Sequence, residues 1–264
     1  MEFLQNIWSM VQKELKQYFI SPIAYVVMMI YLTISGYFFY TRLVYFSQKY
    51  TYMKNIVRMT ANPEMLSHMN LNMEVIAPAL YNMVFIFLFI LPLIMMRSFA
   101  EESKQKTDEL LMTSPMTLTQ VVWGKFLGSF GFVSILVLPT VIYQALLFYF
   151  SGPEAGPVFS GYLGIFLFVG AGVAIGLFAS SMTENQIIAA VVTFVILLFM
   201  FIINFLPVGE DSAIYAMIKY ASVTEHLQNF LLGLIDTRDV VYFLSIIALF
   251  LFLTTKSCQS KGWR

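Results

Sequence analysis

Six blocks of apolar residues, each about the length of a bilayer crossing, constrain this chain more than any other feature. A helix needs about 20 apolar residues to cross about 30 Å of hydrocarbon. On that measure the spans are residues 20–40, 75–96, 121–150, 162–180, 187–206 and 240–255. The expected fold class is an all-α polytopic membrane protein with six transmembrane helices, forming one domain over residues 1–264. Only 11% of residues are charged, against roughly a quarter in soluble domains, and 59% are hydrophobic. Fifteen basic residues balance fifteen acidic ones, which leaves no electrostatic footprint for nucleic acid. The single cysteine, Cys258, forms no intrachain disulfide, and with the distant His68 and His226 it builds no metal site.

The segments between the spans carry the organisation. Over residues 1–19, Phe3, Leu4, Ile7, Trp8, Val11, Leu15 and Tyr18 recur at helical spacing with polar residues between them. This predicts an amphipathic helix lying in the membrane interface. Lys13 and Lys16 precede an apolar run longer than the core of a signal peptide, and no small-residue cleavage site follows, so residues 20–40 read as a retained span. Residues 41–74 read as a polar loop containing short helices. Pro139 is expected to bend the third span, and Gly172 and Gly176 to let helices approach closely in the fourth. Residues 208–239 hold two short apolar patches, one from Ile214 to Ile218 and one from Phe230 to Ile235, separated by Lys219, Glu225 and His226. Each is too short to cross, which predicts an external pair of re-entrant or interfacial helices.

Six spans put both termini on one side. With that side cytoplasmic, nine basic residues lie inside and six outside, four of the six in the long 41–74 loop. The positive-inside rule therefore places both termini in the cytoplasm.

The third span is read as entered past Lys125, so no ionisable residue is placed at membrane depth. Carriers coupled to protons or ions place such residues there, which argues against a secondary transporter. A membrane hydrolase needs a nucleophile and base within reach of each other, and both histidines lie outside the spans. No filter motif indicates an ion channel. The phosphate-cradling pattern G-x-x-x-x-G-K-[ST] is absent, Gly124-Lys125 being followed by Phe126. Nucleotide must therefore be bound by another polypeptide if it drives this one.

The one long charged run between two spans is residues 97–125. Residues 98–115 hold helix formers and two opposite-charge pairs four apart, Glu102 with Lys106 and Lys104 with Asp108, each worth about 0.2–0.5 kcal/mol. Leu110 and Leu111 follow, and Thr113-Ser114-Pro115 stops the helix. A cytoplasmic helix of this kind can dock into a soluble partner.

These residues resemble a known family. The segment F-A-E-E-S-K-Q-K-T-D-E-L-L-M-T-S-P at 99–115, followed by V-V-W-G-K-F at 121–126, is similar to the coupling helix of ABC-2 type transporter permeases. F-L-L-G-L-I-D-T-R-D-V-V-Y-F-L-S at 230–245 looks like the last span of the gliding-motility-type branch, and K-E-L-K-Q-Y-F-I-S-P-I-A-Y at 13–25 is a third match. Lys106 stands where the family pattern has glycine, which implies a more regular helix at that point.

The resemblance implies that Glu101, Glu102, Thr107, Asp108, Glu109, Leu110 and Leu111 meet an ATPase subunit. It also implies no cofactor on this chain, with ATP and Mg in the partner, and an assembly of two ATPase subunits with two permease chains. The second permease is either another copy or a homologue, and the location is the plasma membrane. Members mostly export, and their substrates vary. Asn82, Tyr143, Gln144 and Asn204 are candidate polar residues along the path. The alternative is a membrane anchoring or assembly subunit that uses the same charged helix to hold a partner without moving cargo.

Overall fold

The computed structural model describes residues 2–60, 69–106, 116–205 and 218–260. Among these residues every regular element is helical. In lipid the backbone must satisfy its own hydrogen bonds, and a chain this apolar does so with helices. Six helical stretches are long and apolar enough to cross a membrane, which makes this an all-α, six-span membrane protein.

Helix α1 (Glu2–Ile20) ends at Ser21, whose N–H donates to the Tyr18 carbonyl at 3.1 Å, and Pro22 opens α2 (Pro22–Thr60). Proline suits a first helical position because its missing N–H would have no helical partner there. Helix α2 is the main departure from the sequence reading. Its 39 residues reach about 58 Å, nearly twice the hydrocarbon thickness, so the expected 41–74 loop is largely helix. The cause is the absence of breakers: from Tyr37 to Thr60 there is no glycine or proline to stop the helical repeat. Lys49 and Glu74, 2.6 Å apart, tie this extension to the next element.

A π turn (Asn72–Ile76) feeds α3 (Ala77–Met95), and α4 (Ala100–Gln105) follows as a short separate helix. Helix α5 (Leu118–Val137) begins three residues earlier than the sequence reading. Thr117 and Gln120 cap it reciprocally, the Thr117 N–H donating to Gln120 Oε1 at 2.8 Å and the Gln120 N–H to Thr117 Oγ1 at 3.4 Å. At Pro139 the chain tightens into a 3-10 turn (Leu138–Thr140) before α6 (Val141–Ser151), because proline cannot supply the helical N–H. Helix α7 (Ala155–Met182) lies at the centre, packed against α3, α5, α8 (Gln186–Ile202), α9 (Val223–Leu231) and α10 (Thr237–Ser260).

Small residues explain that central position. A Cβ on Gly172 would stand 2.5 Å from Leu91 Cδ1, and one on Gly176 would stand 2.5 Å from Met95 Cβ, so α3 approaches α7 only because both are glycine.

The 208–239 segment divides. Ile214, Tyr215 and Met217 lie outside the described residues, whereas the second patch straddles the end of α9: Phe230 and Leu231 close a helix that starts at Val223 and includes Glu225 and His226, and Leu232, Leu234 and Ile235 follow it in the turn that leads to α10. The last span is longer than residues 240–255, since Asp236 Oδ1 accepts the Arg238 N–H at 2.9 Å and starts the helix early.

Candidate functional site

The densest charge inside the bundle gathers where α1, α4 and α5 meet. Helix α1 lies along α5 against a stripe of Gly124, Gly128, Ser129 and Phe132. A Cβ on Gly128 would fall 2.6 Å from Glu14 Cβ, and one on Gly124 would fall 2.5 Å from Met10 Cβ. Tyr18 completes the contact, its hydroxyl 3.0 Å from Ser129 Oγ and its ring stacked on Phe132 at 4.6 Å. The face of α1 turned to α5 is therefore Met10, Val11 and Glu14, whereas Phe3, Leu4 and Trp8 remain exposed.

The close approach buries Lys125, which is 1% exposed. Its ammonium has three hydrogens and three acceptors: Glu14 Oε1 at 2.8 Å, Glu102 Oε1 at 2.9 Å and the Ser98 carbonyl at 2.7 Å. The Phe99 ring lies beside it, 5.0 Å from centroid to Nζ. This corrects the reading of spans without ionisable residues. Lys125 falls within the third span and is affordable there because two carboxylates and a carbonyl replace its water. Lys13 adds a looser contact to Glu102 at 3.5 Å.

Helix α4 is clamped at its other side by α7. Ser180 Oγ accepts the Phe99 and Ala100 N–H groups, each at 3.0 Å, and donates to the Met96 carbonyl at 3.3 Å. Two otherwise unpaired donors at the helix start are thereby satisfied. The helix then stops at Lys106, which adopts a left-handed conformation with φ 55° and sends its N–H back to the Ser103 carbonyl at 3.2 Å. The regular helix expected through this position is interrupted at Lys106. Lysine there occupies the conformation that glycine adopts without cost. Lys106→Gly is accordingly expected to raise stability by about 1 kcal/mol, read as a higher unfolding midpoint in detergent.

The residues expected at a partner surface are placed unequally. Glu101 sits partly exposed in the first turn of α4, accepting from Gln105 Nε2 at 3.3 Å. Glu102 points inward to Lys125. Thr107, Asp108, Glu109, Leu110 and Leu111 lie outside the described residues.

The four expected path residues fall in two places. Asn82 and Asn204 line one cleft of about 420 Å³ with Arg42, Tyr81, Thr224 and Gln228. Tyr143 and Gln144 are not part of its lining. The Tyr143 hydroxyl donates to the Leu32 carbonyl at 3.0 Å. Gln144 is 1% exposed, beside Tyr162, and neither atom of its amide meets hydrogen-bond geometry with a partner among the described residues. Close in the same bundle, the Thr140 and Tyr162 hydroxyls pair at 3.0 Å.

A second polar cluster joins α9 to α10. His226 Nδ1 lies 2.6 Å from Asp239 Oδ1, and its Nε2 lies 2.9 Å from the Tyr220 carbonyl. Asn229 Nδ2 donates to Asp239 Oδ2 at 2.9 Å, and the imidazole stacks on Tyr242 at 3.9 Å. A His–Asp pair is two of the three members of a hydrolytic triad, but here the nitrogen that would activate a nucleophile is occupied by a carbonyl. The arrangement is a brace between two helices.

Sequence reasoning missed Glu14, Ser180 and Asp239 as partners. Only Glu14 carried a signal: it follows Met10 by four residues and so falls in register with a buried face of α1.

Two comparisons with known proteins bear on this arrangement. The family model described as ABC-2 family transporter protein matches residues 8–255, from within α1 to within α10. No curated protein matches the chain.

Proposed function

Because the chain belongs to the ABC-2 transporter family, and is thus the membrane-spanning permease part of an ATP-driven transporter, we propose that it exports its substrate by receiving the stroke of a separate ATPase through residues 98–115. Two ATPase subunits bind ATP and Mg on the cytoplasmic side of the plasma membrane, where both termini also lie. Two permease chains, identical or homologous, form the path between them. The resemblance of residues 230–245 supports placing the chain in the gliding-motility-type branch.

The observation that carries this reading is the double attachment of α4. A force on the segment after Lys106 reaches α1 and α5 through Glu102 and Lys125, and reaches α7 through Ser180. Packed cores switch between discrete arrangements instead of deforming continuously, so a small displacement of α4 is passed on as a tilt of whole helices. The spans that tilt are 20–40, 75–96 and 187–206. Gln144 fits such a change, because a buried amide unpaired in one arrangement gains a partner in another. Asn82 and Asn204 in their open cleft suit the outer end of the path.

The test begins with the tagged chain extracted gently from its own membranes. A stoichiometric ATPase with magnesium-dependent hydrolysis is expected to come with it, and to be lost from the Asp108→Arg, Leu111→Asp double variant while the helical content stays intact. Retention of the ATPase and full activity in that variant would sink the docking assignment. A folded preparation with no nucleotide-binding partner would favour the anchoring role instead.

A further inference from the structure

A cleft of about 240 Å³ opens beside the charge node, between the α1–α2 junction, the end of α3 and the start of α4. Its apolar wall includes Ile23, Ala24, Val27 and Leu93, and its polar end includes Gln17, Ser21, Arg97 and Glu101. Ile20, Ile23 and Leu93 on its rim are exposed, at 70%, 47% and 52%. The pocket is therefore continuous with the apolar surface that faces lipid.

One donor of its cation, Arg97, is buried without an acceptor among the described residues: Nε has no hydrogen-bond partner, and the same holds for Ser98 Oγ. Of the carboxylates in the cleft, Glu14 is held by Lys125, and among the described residues Glu101 accepts from the Gln105 amide alone. A buried guanidinium N–H left this way is an unmet cost, and the fixed fork of donors to which it belongs suits a phosphate or carboxylate. The level in the membrane follows from the lengths of the apolar helices: Ser21 and Pro22 are where the chain passes from α1 into its first spanning helix, and Arg97 directly follows the apolar run of α3. Phospholipid headgroups lie at that depth.

We propose that this cleft holds a membrane phospholipid, its phosphate on Arg97 and one acyl chain between Ile23, Val27 and Leu93. The volume admits a phosphate, part of the glycerol and the top of one chain, and the rest of the lipid lies on the outer face. Glu101 on the same rim opposes a purely anionic headgroup and pairs with an ammonium. The ligand is thus a phospholipid carrying a primary amine beside its phosphate, of the phosphatidylethanolamine type. Such a lipid sits where α4 joins the span, in contact with Arg97 and Glu101 on either side of that joint.

The experiment strips the full-length chain of lipid in detergent. It then adds phosphatidylethanolamine, phosphatidylglycerol or inorganic phosphate, and counts retained lipid by native mass spectrometry. The unaltered chain is expected to retain one phosphatidylethanolamine in preference to phosphatidylglycerol, with no competition from excess inorganic phosphate. Arg97→Ala should lower retention by about tenfold or more, the scale of one charge-assisted contact. Glu101→Gln should remove the preference for the amine headgroup. Ile23→Trp keeps the guanidinium but fills the chain slot, so it should also lose the lipid, and it carries the test if Arg97→Ala does not fold. Unchanged retention in Arg97→Ala or Ile23→Trp, equal retention of both lipids by the unaltered chain, or displacement by inorganic phosphate would each overturn the proposal.

Discussion

Lys125→Met is expected to destabilise the protein by about 3–5 kcal/mol, because it leaves the Glu14 and Glu102 carboxylates facing each other in a buried site. The triple variant Lys125→Met, Glu14→Leu, Glu102→Leu is expected to recover most of that loss. Apolar side chains of similar volume replace buried ionic groups at little cost, and sometimes with a gain. The two variants therefore separate stability from transmission. If the node relays motion from α4 to α1 and α5, the triple variant folds, keeps its ATPase partner, and hydrolyses ATP without moving substrate. If the node is only a fastener, the triple variant transports normally. Unfolding in detergent measures the first effect, and hydrolysis with transport in reconstituted vesicles measures the second. Intact transport in a folded triple variant would remove the relay from the mechanism.

The six crossings were legible because hydrophobic length is a property of contiguous residues, and the bilayer fixes the length required. The ends of the helices were less legible. Helix α2 runs twenty residues past the expected end of its span because no glycine or proline intervenes, although the polar residues between 41 and 60 have the composition of a loop. Short helix α4 stops at Lys106 even though its charge pairs favour continuation, since the local hydrogen bond to Ser103 closes the turn.

The charge node was the least legible part of the candidate site. Lys125, Glu14 and Glu102 are separated by 111 and 23 residues, and nothing in the neighbourhood of any one names the others. What the sequence does hold is the reason they meet: Gly124 and Gly128 flatten the face of α5 on which α1 rests. The resemblance placed Glu101 and Glu102 together at a partner surface, yet on a helix consecutive residues point about 100° apart, so one faces outward and the other into the bundle.

His226→Leu is expected to cost about 3–5 kcal/mol, since the Asp239 carboxylate is 3% exposed and loses its buried His226 partner. Asp239→Asn should cost far less, about 1 kcal/mol, and the difference follows from donors and acceptors. With asparagine at 239, the side-chain N–H₂ can donate to His226 Nδ1 while the side-chain oxygen still accepts from Asn229 Nδ2. A neutral imidazole then keeps its Nε2–H on the Tyr220 carbonyl, and every group in the cluster remains paired. No such rearrangement is open to His226→Leu, which strands Asp239 and leaves the Tyr220 carbonyl without its donor. Paired unfolding curves for the two variants test this ordering. Equal losses would mean that the charge itself braces α9 against α10, whereas a small loss for Asp239→Asn alone assigns the brace to the geometry of the hydrogen bonds. In the second case α9 and α10 are held by a network that tolerates neutralisation, in contrast to the Lys125 node, where removing the one cation strands two buried carboxylates.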